Sequence, residues 1–482
     1  MNNNERYLPG FNQFLCGKSP KSTLVKIQEK VNWLRKSTLS ELSEVFGEWI
    51  PSKFLQSKDI GINSRNRLYS QNVTFWAFLA QVLSPQTPCR EIVRKIQSFC
   101  SLSKRTLPAS GTAAFCRARK RLRNDDLEQI QSAIISKATN RLLRDQLWKN
   151  HSVKVIDGTG VALADTPQNQ KAYPQPSEQR AGCGFPVLKL VACFCLHTGV
   201  LLHFVQSNLH CYEGKLFTLF LKIFSSGDVV LADRGFCSYG NIAELHQRNI
   251  HSVMRLHQAR KVDYRNGKSL GTQDRLVIWK RPKQRGAAWS RQEWKSLPET
   301  LQLRMVRVYV GIKGFRTQQY ELITTLTDAN TYTYNDLKEL YFQRWNVELY
   351  FRNIKTSMGM ESLRCKTPEM VLKELQMFLI AYNLVRGLMQ EAAISHAVNM
   401  ERMSFKATVD TLRQYSNPIA HRASRKQKQK TYEEMIFLIA NEVVPLRQFR
   451  SEPRAVKKRP KGYQRLTKPR HQFKVSASRK MK

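Results

Sequence analysis

Residues 341–355 read Tyr-Phe-Gln-Arg-Trp-Asn-Val-Glu-Leu-Tyr-Phe-Arg-Asn-Ile-Lys. Thr333 followed by Asp336 is a capping box, and Leu337, Leu340, Val347 and Ile354 recur at helical spacing, so 333–355 is predicted to be one continuous helix. At about 100° per residue, Tyr341, Arg344, Glu348 and Lys355 fall within a sector roughly 60° wide. One carboxylate is flanked there by two cations and a phenol. Taken alone, such a sector describes a solvated face with ion pairs. Whether it is more depends on what the remaining chain brings to Glu348.

Charge is the first outside argument. The 482 residues contain 79 Lys and Arg against 37 Asp and Glu, a formal net charge of +42 with a pI near 10.1. That excess exceeds what solubility requires and points to a polyanionic partner. Hydrophobic residues make up 41% of the chain, with eight Trp and 23 Phe, enough for substantial cores and about two to four domains. A large nucleic-acid enzyme fits this balance better than a basic packing protein. The ten cysteines include no CxxC pair and read as reduced, mostly buried thiols, with Cys193 and Cys195 on one side of a strand. No apolar run approaches the roughly 18 residues of a membrane span, and the opening MNNNERYLPG lacks the apolar core of a signal peptide. The expectation is an intracellular protein with no membrane partner.

Upstream of 333 the periodicity changes twice. Residues 1–64 read as a helical N-terminal region: Leu24, Ile27, Val31 and Leu34 are helically spaced, and Leu39, Leu42, Val45, Phe46 and Trp49 continue the pattern up to Pro51. Residues 65–149 read as a helical DNA-binding domain. Phe75, Phe78, Leu79 and Val82 form one buried stripe, and Thr87-Pro88 opens a second helix through Phe99. Thr112 then caps a helix dense in Arg117, Arg119, Lys120, Arg121 and Arg123, the pattern of a helical DNA reader. A solvated basic face has the same composition; the net charge favours contact with DNA.

From about 150 the pattern turns to strands. His151–Asp157 is a short apolar strand ending on an aspartate before Gly158 and Thr159. Leu188–Leu196 and Leu201–Val205 flank a hairpin turn at His197-Thr198-Gly199-Val200. A helix over 212–224 follows, then the strand Val229–Asp233, also ending on an aspartate in Asp233-Arg234-Gly235-Phe236, then a helix and a strand reaching Leu256. This order predicts an α/β mixed sheet with helices on its faces, in which chemistry collects at strand ends. Packing the 333–355 helix against that sheet would bring Glu348 to Asp157 and Asp233. Three carboxylates in one place repel one another unless cations lie between them, and hard divalent cations, Mg²⁺ or Mn²⁺, match oxygen-only ligands. A two-metal site of that kind acts on phosphodiesters.

Together, Asp157-Gly158-Thr159, Asp233-Arg234-Gly235-Phe236 and the Tyr-(2)-Arg-(3)-Glu-(6)-Lys spacing at 341, 344, 348 and 355 resemble the DDE transposases of bacterial insertion sequences, specifically the insertion-sequence-four family. The motifs run from about 150 to 390, with weaker similarity at Phe115–Leu122 and in the basic tail. The resemblance implies a ribonuclease-H-like catalytic core in two parts, 150–256 and 331–390, separated by a β-rich insertion at 257–330, where Arg304–Val310 and Tyr320–Leu326 are strand-like. It implies that Asp157, Asp233 and Glu348 are the catalytic metal ligands, holding two Mg²⁺ ions with Mn²⁺ able to substitute. Tyr341, Arg344 and Lys355 would contact transposon-end phosphates. A homodimer would work on double-stranded DNA, joining paired terminal inverted repeats in a synaptic complex, with strand transfer to target DNA and in some members a hairpin. The location implied is the bacterial cytoplasm, at the nucleoid.

In hairpin-forming members a tryptophan of the insertion stacks on a flipped base. Trp279, Trp289 and Trp294 are the candidates, with ordinary core packing the more frequent role for any single one; Trp289 has the most polar surroundings. Residues 391–482 read as helices followed by a basic DNA-binding tail. From Arg447 onward 14 Lys and Arg face the single acid Glu452, with Lys457, Lys458 and Arg459 in its densest stretch. Two other readings stay open: a different ribonuclease-H-like nuclease, which would share the carboxylates but not the Tyr-Arg-Glu-Lys spacing, and a transposase-derived DNA-binding protein that no longer cuts.

Overall fold

The computed structural model describes residues 41–56, 68–102, 106–142, 144–211, 213–258, 260, 263–310, 318–422, 424–445 and 465–473. The helix expected at Leu24–Leu34, the turn at Gly311–Thr317, and Lys457, Lys458 and Arg459 lie outside these residues.

The described chain begins with five helices, α1 (Leu42–Phe46), α2 (Gln71–Leu83), α3 (Cys89–Leu102), α4 (Ala113–Arg121) and α5 (Asn124–Thr139). The sheet follows, as β1 (Val153–Leu163), the short α6 (Pro167–Ala172), β2 (Val187–Cys195), β3 (Leu201–Asn208), α7 (Glu213–Thr218), β4 (Val229–Ala232), α8 (Tyr239–Gln247) and β5 (His251–Arg255). These strands lie in the order β3-β2-β1-β4-β5, with β2 antiparallel to its neighbours and β1, β4 and β5 parallel. That is the α/β mixed sheet with helices on its faces that the sequence predicts.

Both faces of the sheet are buried, so its strands are apolar throughout. Val153, Val155, Leu190, Leu231 and Val253 enter one core, whereas Ile156, Val191, Val230, Ala232 and Met254 enter a second, the alternation a pleated strand imposes. The second core is closed by α7 and α8, through Leu216, Phe217, Ile242 and Leu245.

The insertion continues the same sheet. After β6 (Lys268–Gly271), β7 (Asp274–Lys280), α9 (Arg291–Ser296), β8 (Thr300–Val310) and β9 (Gln318–Thr324), the order runs β5-β9-β8-β7-β6, with β9 antiparallel to β5. The buried Arg304 of β8 donates from Nε to Asp274 Oδ1 on β7 at 2.8 Å. A half-buried ladder with such a pair explains why this segment forms strands despite its charge.

The 333–355 segment departs from the sequence expectation. It is two helices, α10 (Tyr334–Gln343) and α11 (Asn346–Arg352), interrupted at Arg344-Trp345 and followed by a wide turn of π type over Asn353–Ser357. The capping box at Thr333 and Asp336 is present, and Leu337, Leu340, Val347 and Ile354 are all fully buried. The interruption coincides with an aromatic cluster: Trp345 stacks on Phe342 at 5.6 Å and meets Tyr320 edge-on at 5.8 Å. Tertiary packing of Trp345 overrides a local propensity that would have continued the helix.

Strand β10 (Ser362–Leu363) then pairs with the far end of β1, and α12 (Pro368–His396) crosses the first face of the sheet. Asn383 locks it there, accepting from Leu201 N and donating to Leu201 O, both at 2.9 Å. Two further helices, α13 (Phe405–His421) and α14 (Arg425–Asn441), pack beside it. Among the described residues no helix is long and apolar enough to cross a membrane.

Candidate active site

Strand β1 does not stop at Asp157. Its pairing with β4 ends at Ile156 and Ala232, whereas its pairing with β2 continues to Ala162 and Val187. The sheet therefore splits between β1 and β4 just where the two aspartates stand. Asp157 remains inside a strand held from one side, and Asp233 is the first residue beyond β4.

Asp157 is partly buried, and its Oδ1 accepts from Gly158 N at 2.8 Å. Burial pushes its carboxyl up to about 6; Asp233 and Glu348 push in the same direction, while the Gly158 N–H and Arg344 oppose the rise. This mutual influence places the three acids in one electrostatic neighbourhood. Asp233 Oδ1 is buried and has no hydrogen-bond partner among the described residues, an unusual state for a carboxylate oxygen. Glu348, in the first turn of α11, keeps an exposed side chain.

Between them lies Arg344. Its Nη1 is 3.5 Å from Asp157 Oδ2 and its Nη2 is 3.9 Å from Glu348 Oε1, and the residue is only 7% exposed. The helix interruption aims it there. Tyr341 is buried beside it, its ring 5.8 Å from the guanidinium carbon; burial raises its phenol, and its hydroxyl finds no hydrogen-bond partner among the described residues. Lys355, on the π-type turn, donates to Gly160 O at 2.9 Å and Thr159 Oγ1 at 3.3 Å, joining the third motif to the first.

Among the described residues no three Asp, Glu, His or Cys side chains stand close enough to form a ready metal cage. The donor chemistry nonetheless fits a hard divalent cation: the available ligands are all carboxylate oxygens, and Asp233 Oδ1 is left without a partner.

Two further residues expected to contact DNA are buried. Arg119 is 7% exposed, its guanidinium carbon 4.7 Å from the Phe78 ring centre, and Nη1 donates to Gln81 at 3.2 Å. It faces the helical core because position 119 lies on the inner side of α4, with Phe115 and Ala118. Trp289 is 6% exposed and belongs to the second core, its indole pressed on Gly240, where a Cβ would come within 2.3 Å of Nε1. Polar neighbours in sequence did not reveal this, because the chain around Trp289 folds back onto α8. Trp294 is also buried, whereas Trp279 is half-buried beneath the Arg260 guanidinium at 3.9 Å. Arg117, Lys120 and Arg121 are exposed. Sequence reasoning missed Arg255, which ends β5, lies 4.5 Å from the Tyr320 ring and influences the Tyr341 phenol; no motif surrounds it.

Comparison with known proteins agrees with this geometry. Residues 148–384 match the transposase DDE domain family. The chain is 25% identical over 327 residues to the transposase InsG for insertion sequence element IS4 of Escherichia coli strain K12, covering 67% of this chain and 71% of that protein. A structure of the piggyBac transposase synaptic complex with hairpin DNA covers 84% of this chain and 85% of its own at 9% identity, with a TM-score of 0.41. The match to the transposase DDE domain and the similarity to an IS4 transposase agree with the resemblance carried by the three motifs.

Proposed function

We propose that this chain is a DDE transposase of the insertion-sequence-four family, which binds the terminal inverted repeats of its own insertion sequence, cuts the DNA there and transfers the freed strands to target DNA. The observation that carries the reading is the pairing of Arg344 with Asp157 and Glu348 at the split in the sheet, where Asp233 also acts on the Asp157 carboxyl. In this reading Asp157, Asp233 and Glu348 hold two Mg²⁺ ions, for which Mn²⁺ substitutes. Such ions, when bound, activate an attacking hydroxyl and stabilise the leaving oxygen of a phosphodiester.

The chain's own residues do the rest. The Asp157 and Asp233 carboxylates enter the crevice from separate strands, so a ligand seated between them is held by the sheet itself. Arg344 is already paired with two carboxylates; on binding it exchanges them for a DNA phosphate, to which a guanidinium offers two parallel donors. Lys355 and the Tyr341 hydroxyl flank the same position. Exposed Arg117, Lys120 and Arg121 on α4, with Lys457, Lys458 and Arg459 in the tail, supply sequence-independent contacts along the duplex. Assembly as a homodimer on two paired ends, and a hairpin at the cut end, belong to the same reading.

The test is to incubate purified protein and Mg²⁺ with DNA carrying its flanking inverted repeats and to map the ends. Strand breaks at the repeat boundary leaving 3′ hydroxyls are expected. Breaks indifferent to the repeats would support the nuclease alternative, and binding without breaks the non-cutting derivative.

A further inference from the structure

A fourth carboxylate stands at the split in the sheet. The β1–β4 ladder ends at Ile156 and Ala232, one residue before Asp157 and Asp233. Glu213, the first residue of α7, fills this place. A Cβ built on Gly158 would lie 3.5 Å from Glu213 Oε1, and one built on Gly235 only 2.9 Å from Oε2. The two oxygens of one side chain thus face the backbone just after each aspartate. The second distance is tighter than a real Cβ contact, so a side chain at 235 would displace the flexible end of Glu213.

The carboxylate is held from the other side by Lys189 of β2, whose Nζ is 3.7 Å from Oε1 and which itself donates to Cys211 O at 2.9 Å. Strand alternation puts Gly158 on the face of Ile156, the face covered by α7, and Asp157 on the opposite one. Glu213 therefore backs the crevice from behind. A brace serving packing alone would be apolar here, beside Leu216 and Phe217. A carboxylate here, partly offset by Lys189, adds negative charge behind the two aspartates that bound cations would neutralise further.

We propose that Glu213 is a positioning residue of the active site: it sets the spacing of Asp157 and Asp233 and supplies negative charge behind the divalent-cation site. This rests on the reading of Asp157, Asp233 and Glu348 as metal ligands. Gly235→Ala should act in the same direction by driving the Glu213 carboxylate away without removing it.

The test uses the full chain with Mn²⁺ as probe. Bound Mn²⁺ is measured by electron paramagnetic resonance for the natural protein, Glu213→Gln, Glu213→Ala, Gly235→Ala and Asp157→Asn, alongside the Mg²⁺ dependence of end cleavage. Glu213→Gln and Glu213→Ala are expected to weaken Mn²⁺ binding about tenfold, to raise the Mg²⁺ half-saturation by a similar factor and to lower kcat, with DNA-end KM unchanged. Values within twofold of the natural protein overturn the proposal. So does unfolding of the isosteric Glu213→Gln, which would make the residue structural only. If Asp157→Asn itself leaves Mn²⁺ binding unchanged, the ligand reading fails and Glu213 falls with it; if Asp157→Asn abolishes binding while the Glu213 variants do not, only Glu213 falls.

Discussion

Arg344 holds its guanidinium 3.5 Å from Asp157 and also reaches Glu348, so an intramolecular cation stands between two of the acids. The fold is thereby spared three unscreened carboxylates. Arg344→Gln should accordingly lower the stability of the metal-free protein by about 1–3 kcal/mol, since one partner of a buried pair is removed. Thermal melts with and without Mg²⁺ check this: the gain in Tm on adding Mg²⁺ should be larger in the variant. A Tm equal to that of the natural protein would show that the pair contributes nothing.

Asp157 should make stability depend on pH in a defined direction. Its folded value of about 6 lies above the ordinary 3.8, so the folded protein binds the extra proton and loses stability as pH rises between those values. Above pH 6 the full penalty applies, on the order of 2–3 kcal/mol. Asp157→Asn should therefore raise Tm at pH 7.5 in the absence of metal and leave it nearly unchanged near pH 4. Denaturation curves at the two pH values decide the matter.

Replacing Asp157, Asp233 or Glu348 by Ala should reduce Mg²⁺-dependent cleavage by three orders of magnitude or more, on the order of 4 kcal/mol of barrier, while end binding in a gel-shift assay persists. A variant that still cleaves removes its residue from the ligand set.

The helix α4 offers a paired contrast. Arg117→Ala and Lys120→Ala should each reduce the slope of log affinity for DNA against log salt by about one and leave Tm alone. Arg119→Ala should leave the slope alone and destabilise the fold by about 2 kcal/mol, through lost packing on Phe78 and Phe115.

Trp289→Ala, for its part, should destabilise by about 3–5 kcal/mol, as a large aromatic removed from a core does. Chemical denaturation measures this directly; a loss below 1 kcal/mol would return Trp289 to the surface roles expected from its sequence.

What the sequence determined by itself was local and periodic. The strand order around 151–256 was readable because strands buried on both faces are apolar throughout and are bounded by turn residues. The capping box at Thr333 was readable because its two residues are three apart. Asp157, Asp233 and Glu348 could be grouped because their motifs carry fixed spacing. The tertiary structure decided what depends on residues far apart in the chain. At Arg344 and Trp345 the predicted single helix tightens to i→i−3 bonds, where Trp345 packs on Phe342 and Tyr320 and Arg344 meets Asp157. The same kind of contact sent Arg119 and Trp289 inward, since charge or polar neighbours along a chain do not reveal which side of it another element will cover. The end of β1–β4 pairing at Ile156 placed Glu213 behind the two aspartates, a position no spacing within the sequence encodes.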